Sequence, residues 1–369
     1  MTEKKTFNLG WAILKLWMCY EVVLVHAWNS YKPELVQSWE PGWMLAFFAS
    51  LRPYCVPVFM TIAFFLAAEK FAAGGGEWLR KRFTRLLVPW VFWTLQAFIT
   101  WKLLALGGAT GPYPYPWDAK AVHPPFATPL DNLGWQLLLG TTREYGSQMW
   151  FQAVLVIETA IFACFFRFLK SGWRTWGLSV LFFGALVAEY SGLNFYLFKD
   201  MIYEVKNPLG RIIPMIPYAA MGLFFGLRQR SLEGFSTARR WGIVAMASLL
   251  AVFMVVNDKN VIFAKPQGFY YTGLTMLAIA FALVTAFRFL PCEGLPDGVK
   301  AVIVKASKYS MGVYFAHIYV GRLLETLVFP GIGVVPRSFT AACVVFAVSF
   351  ALCVLGSLIP GRRVKMLFQ

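Results

Sequence analysis

Two ionisable residues stand inside an apolar stretch near the start of the chain, Lys15 and His26, eleven residues apart. At 100° per residue that spacing is three helical turns plus about 20°, so both share one helix face, about 16 Å apart along the axis. An ionisable group within a membrane-spanning stretch is costly and marks a functional site by default. The face presents a cation near one mouth and an imidazole deeper in. Imidazole titrates near neutral pH, which suits it to act as a general base. Two plainer readings stay open: a lysine that snorkels to the membrane surface, and a histidine hydrogen-bonded for structure. Glu21 falls about 240° from Lys15 around the same helix. It faces a different neighbour, and its role is open.

A second cluster runs Trp78-Leu79-Arg80-Lys81-Arg82-Phe83-Thr84-Arg85, followed by Leu86-Leu87-Val88-Pro89. Arg82 and Arg85 are three apart and on a helix point the same way. Two guanidinium groups on one face can grip a phosphorylated ligand. The competing reading is an ordinary cationic cluster at a cytoplasmic loop, and charge alone favours it. A third group is Ser310-Met311-Gly312-Val313-Tyr314-Phe315-Ala316-His317, followed by Arg322 and Glu325 at a spacing that lets them neutralise each other. His317 either serves a site or packs the interior. His123 stands among prolines and reads as surface; Glu158 and Glu189 have no assignment. No phosphate-binding glycine loop, zinc-protease motif, nucleophile elbow or dinucleotide fingerprint is present.

These groups need elements to hold them. Apolar residues make up 59% of the 369-residue chain and charged residues 14%, against about 25% charged in soluble domains. The mean hydropathy is +0.59. Soluble, disordered and disulfide-scaffold classes are all excluded by this balance. A membrane helix takes about 20 apolar residues. Ten candidate spans follow, at roughly 10–28, 43–67, 86–106, 148–166, 174–190, 210–227, 241–257, 269–289, 309–329 and 338–360. The prolines at 53 and 57 predict that the second is kinked or begins after Pro57. The fold class expected is all-α: a polytopic membrane bundle of about ten helices, forming a single domain over 1–369 with no fused soluble domain. The first span ends in His26-Ala27-Trp28-Asn29, not in a small-residue cleavage site, and reads as a retained helix.

With the N-terminus cytoplasmic, 21 of the 34 cations fall in inside segments, 10 in outside segments and three (Lys15, Arg52 and Arg322) within spans. The bias holds at every crossing, which predicts both termini in the cytoplasm. Much of the net charge of +16 then records orientation, and a nucleic-acid partner is disfavoured. Several tryptophans, Trp150, Trp173, Trp176 and Trp241 among them, fall at span ends, where amphipathic rings favour the interface. The longest outside loop is about 107–147, with the proline-rich stretch Gly111–Trp117; such loops are often lids or binding surfaces. The six cysteines form no paired motif and read as small apolar fillers. No metal site is expected.

Taken together, the motifs resemble the acyltransferase-3 family, bacterial multi-helix membrane enzymes that O-acylate surface polysaccharides and other acceptors. The family's first helix carries Arg or Lys, ten residues, then His, as in Lys15 to His26. Its cytoplasmic Arg-x-x-Arg is similar to Arg82-Phe83-Thr84-Arg85. Pro57-Val58-Phe59 resembles its second-helix opening, Met149-Trp150-Phe151 its Trp-Phe start, and Ser310 to His317 its Gly-x-Tyr…His. The chain departs at Ala63-Phe64-Phe65, where many members have Ser-Gly-Phe, and in using Lys15 where Arg is commoner.

The resemblance implies His26 as general base and Lys15, Arg82 and Arg85 as the acyl-donor grip. Glu21, Trp150, Tyr314 and His317 are further site candidates. It also implies acyl-CoA, simplest as acetyl-CoA, as donor substrate with no permanently bound cofactor. The acceptor would be a glycan or lipid-linked saccharide, and the place the lipid bilayer of the bacterial inner membrane. A multi-pass transporter of a glycan or small solute is the rival reading; the absence of an internal repeat and the ordered motifs weigh against it.

Overall fold

The computed structural model describes residues 9–28, 54–106, 149–191, 209–228, 234–262, 274–327 and 339–369. Among these the chain is helix and turn, with no strand. The outer loop at 107–147 with His123, and the side chains of Glu189, Arg322 and Glu325, lie outside the described residues.

The helices follow the apolar segments closely. They are α1 (Leu9–Trp28), α2 (Cys55–Phe65), α3 (Ala68–Ala73), α4 (Gly76–Leu106), α5 (Trp150–Phe168), α6 (Arg174–Tyr190), α7 (Leu209–Leu227), α8 (Thr237–Ile262), α9 (Leu274–Phe289), α10 (Asp297–Ser307), α11 (Ser310–Leu327), α12 (Phe339–Leu358) and α13 (Arg362–Phe368). The second begins at Cys55, with Pro57 in its first turn. A proline there forfeits only an N–H that has no helical partner, so the described helix begins before Pro57 and not after it; the earlier part of the predicted span, 43–53, where a kink would fall, lies outside the described residues. Gly74, in the left-handed region at φ 68°, ends α3. The basic cluster and the third apolar segment share one helix, α4, with Pro89 inside it. Pro89 cannot donate to the carbonyl of Arg85, and at the next residue Gln152 Nε2 donates to the Leu86 carbonyl at 2.8 Å.

By length and apolarity, two described helical stretches are able to cross a membrane, Trp150–Phe168 and Thr237–Val255. Shorter apolar stretches are Cys55–Phe65, Arg211–Leu227, Thr275–Phe289 and Ala342–Leu358. Outward faces are apolar: Val180, Phe183 and Val187 on α6 are 63–68% exposed, and Met246, Leu249 and Phe253 line α8. Water does not favour such faces and lipid chains do, so the fold is that of a membrane-associated protein.

Contacts set the helix directions. Lys15 meets Ser307, Cys19 meets Ser310 and His26 meets His317, so α1 and α11 run parallel in a constant register. Phe59 meets Phe151 and Phe64 meets Phe162, so α2 and α5 are parallel to each other. Arg82 meets Thr159 and Leu86 meets Gln152, so α4 and α5 are antiparallel. Tyr309 bonds Ser357 at 3.1 Å, and Gly321 lies beside Val345, making α11 and α12 antiparallel. Each direction matches the in–out alternation that the cation bias predicts.

The closest packing is of α7 on α2. A Cβ on Gly222 would overlap the Thr61 carbonyl oxygen, and one on Gly226 would overlap Ala68 and the Phe65 carbonyl. Small residues four apart let two backbones approach, the usual device where lipid removes the hydrophobic drive. The Ala63-Phe64-Phe65 stretch of α2 has no glycine, and α7 supplies glycines on the facing side. The C-terminal α13 folds back onto the bundle. Trp93 Nε1 donates to the Leu367 carbonyl at 2.9 Å, and Phe368 stands edge-on to Trp93, ring centres 5.9 Å apart. A side chain at Gly312 or Gly356 would collide with Phe368. Phe368→Ala empties this notch and is expected to cost about 2 kcal/mol, read as a lower Tm in detergent.

Several cations between the helices are carbonyl caps. Arg174 donates to the carbonyls of Leu169, Ala72 and Phe166. Arg240 donates to those of Phe289 and Leu290 at the end of α9 and pairs with Glu293, whose carboxyl that guanidinium holds below the usual carboxylate range. Helix C-termini leave carbonyls unpaired, and cations there are favourable.

Candidate active site

The site begins on α1. Lys15 Nζ donates to the Ser307 carbonyl at 3.1 Å. Ser307 is the last residue of α10, so the ammonium sits at a helix C-terminus, where a cation is stabilised. Eleven residues along, the His26 ring, half-buried, meets the ring of His317 with centres 5.1 Å apart and planes tilted by 43°. The helical spacing thus places Lys15 and His26 along one neighbour: α11 together with the end of α10.

Around His317 the bundle builds an aromatic shell. Tyr314 contacts His317 at 6.0 Å and Phe151 at 5.7 Å between ring centres. Phe151 stands edge-on to Trp150 at 6.1 Å. The guanidinium of Arg211, at the start of α7, lies 4.0 Å over the Trp150 ring, a cation–π contact. One path of contacts therefore runs from Arg211 through Trp150, Phe151, Tyr314 and His317 to His26. Four helices contribute. Trp150, Phe151 and Tyr314 are 8%, 4% and 5% exposed, so the path lies inside the bundle.

The structure brings His26, His317, Tyr314 and Trp150 together. Glu21 is fully buried away from this path; its carboxylate accepts the Trp17 indole N–H at 3.0 Å, and Oε2 has no hydrogen-bond partner among the described residues. Glu158 is likewise buried on α5, and neither carboxyl oxygen has a partner among the described residues.

Arg82 and Arg85 part company. Arg82 turns inward: Nε donates to Thr159 Oγ1 at 3.1 Å, and its guanidinium lies over the rings of Phe64, Phe71 and Trp78 at 5.3–5.7 Å. Thr159 can accept because its own hydroxyl donates to the Leu155 carbonyl at 2.7 Å. Arg85 is exposed. The spacing of three leaves about 60° between them, enough for one to enter the interhelical seam and the other to face outward. Arg82, Arg85 and Lys15 thus have separate surroundings.

Sequence reasoning missed Phe151 and Arg211 as members of this path. Arg211 was legible only as an outside cation. Its one local signal is its place just ahead of Pro214 and Pro217 in an apolar helix.

What the arrangement offers chemically is an imidazole pair in an aromatic enclosure, reached along a helix face that carries a cation about 16 Å away. Imidazole can take a proton from a hydroxyl, and rings around it exclude water and can stack against a sugar. No curated protein and no solved structure matches the chain. A family model described as an acyltransferase domain matches residues 8–358, nearly its whole length. The chain belongs to the acyltransferase-3 family.

Proposed function

We propose that the protein is a multi-pass O-acyltransferase of the bacterial inner membrane. It takes an acyl group from cytoplasmic acyl-CoA, acetyl-CoA in the simplest case, and passes it to a hydroxyl of a cell-envelope polysaccharide or lipid-linked saccharide. The observation that carries this reading is the His26–His317 contact inside the bundle of an acyltransferase-family chain. Ten spans with both termini cytoplasmic fit the helix directions and the cation bias. The donor then arrives at the Lys15 and Arg85 side, and the acceptor reaches His26 from the outer side.

His26 removes the proton of the acceptor hydroxyl as its oxygen attacks the thioester carbonyl. The C–S bond breaks, the new ester forms, and the CoA thiolate leaves and regains a proton. The two arginines have different parts. Arg85, exposed, meets CoA phosphate; Arg82 holds α4 against α5 and keeps that cytoplasmic end in place.

Substitutions separate these parts. Arg85→Ala is expected to abolish transfer at ordinary acyl-CoA concentrations with no change in Tm, because an exposed side chain holds little of the fold. Arg82→Ala is expected to lower stability by about 2 kcal/mol as well as activity. Thermal melts and transfer assays on both variants check the pair.

The decisive experiment is transfer from labelled acetyl-CoA by the purified protein, alongside mass spectrometry of envelope glycans with and without the gene. Loss of O-acyl groups with the gene supports the reading. Unchanged glycans, with no stabilisation of the detergent-solubilised protein by CoA, overturn it.

A further inference from the structure

His317 is 1% exposed, and its Nδ1 lies 3.2 Å from the Val313 carbonyl oxygen. A carbonyl oxygen only accepts, so Nδ1 carries the hydrogen in this contact. In neutral imidazole the other nitrogen then bears a lone pair. That nitrogen, Nε2, is buried and has no hydrogen-bond partner among the described residues. Leaving a buried acceptor empty is unfavourable, and folds tolerate this chiefly where the group has work to do. The ring that His317 meets from α1 is His26, and among the described residues its other ring contact is with Tyr314 on its own helix. Ring centres 5.1 Å apart allow facing nitrogens to come to roughly 3 Å, within hydrogen-bond range.

The register between α1 and α11 is what makes this contact dependable. Lys15 on the Ser307 carbonyl, at the end of α10, and Cys19 Sγ on the Ser310 carbonyl, at the start of α11, at 3.4 Å fix α1 at two earlier levels. His26 and His317 follow at the third.

We propose that His317 is the positioning residue for His26: its Nε2 accepts the ring N–H of His26, fixes which His26 nitrogen bears hydrogen, and leaves the other as the base. The division of labour is that of a base and its orienter, with a neutral imidazole in the orienting place. In turn the Val313 carbonyl orients His317. The inference rests on the acyl-transfer reading for the purpose of the base, while the histidine contact itself stands on the geometry.

The chain has three histidines, His26, His123 and His317, so ring signals of protein labelled with nitrogen-15 histidine can be assigned by single substitutions. Wild-type His317 is expected in the Nδ1–H form. His317→Phe is expected to release His26 into a mixture of its two tautomers. His317→Gln, whose amide oxygen replaces the lost acceptor, is expected to keep it fixed. For transfer from labelled acetyl-CoA, His317→Phe is expected to lower kcat on the order of 100-fold with KM for acetyl-CoA unchanged, and His317→Gln to restore most of it.

An Nε2–H form of His317 in the wild type overturns the proposal, even if no variant folds. So do His26 signals that are identical in wild type and His317→Phe. A merely structural role would lower the yield and Tm of His317→Phe and leave kcat per folded molecule intact. Absence of any acetyl transfer by the wild type would sink the acyl-transfer reading, and the tautomer measurement would still decide the histidine pair.

Discussion

His26→Ala is expected to abolish acyl transfer, with a fall in kcat of at least about 100-fold, while the protein still inserts and melts near the wild-type temperature. General-base catalysis is worth roughly two to four orders of magnitude. His317 keeps a lone pair on Nε2 but is 1% exposed, where His26 is half-buried and open to an acceptor, and Arg211 is a cation lying on Trp150. The fold should tolerate the change, because His26 is half-buried and its helix is held independently by Lys15 to the end of α10 and by Cys19 to the start of α11. Transfer from labelled acetyl-CoA by the purified variant is the measurement. Full activity would remove His26 from the mechanism, whatever its place in the structure.

Gly222→Leu is expected to prevent the folded state from accumulating. The missing side chain is what lets α7 lie on the backbone of α2, and the first added atom already meets the Thr61 carbonyl oxygen. Flexible side-chain ends can move aside, but a helix backbone cannot without separating the two helices. Overpacking a core typically costs about 1–3 kcal/mol, and a collision with backbone belongs beyond that range. The same helix carries Arg211 at its far end, so displacing α7 also disturbs the contact with Trp150. Size-exclusion profiles and yield in detergent test this. Gly242→Ala, where a Cβ meets nothing within 4 Å, should behave as wild type.

The local signals for elements were strong. Long apolar runs framed by cations predict helices, and α5 through α12 fall within a few residues of the apolar segments, apart from the additional α10. The amphipathic α10 and the returning α13 were not foreseen, since neither is long or apolar enough to register as a span. At Pro57 the start expected after the proline falls two residues before it, at Cys55: a proline tolerated in a first turn looks the same, in sequence, as one that prevents a start. The second-helix departure from the family pattern concealed a reciprocal arrangement, because glycine on either of two facing helices permits the same approach.

The sequence by itself determined composition, helix placement, the cation bias and the helical phase that puts Lys15 and His26 on one face. These depend on neighbours a few residues apart along the chain, which periodicity reports directly. Only the tertiary structure decided that this face meets α11, at a register near 291 residues distant, so that His26 faces His317. It also decided that Arg82 is enclosed by three rings while Arg85 is exposed, and that Arg211 joins the aromatic path. Such choices follow from how whole helices dock. A helix face shows which residues are available to a partner, and the packing of side chains between helices determines which partner comes.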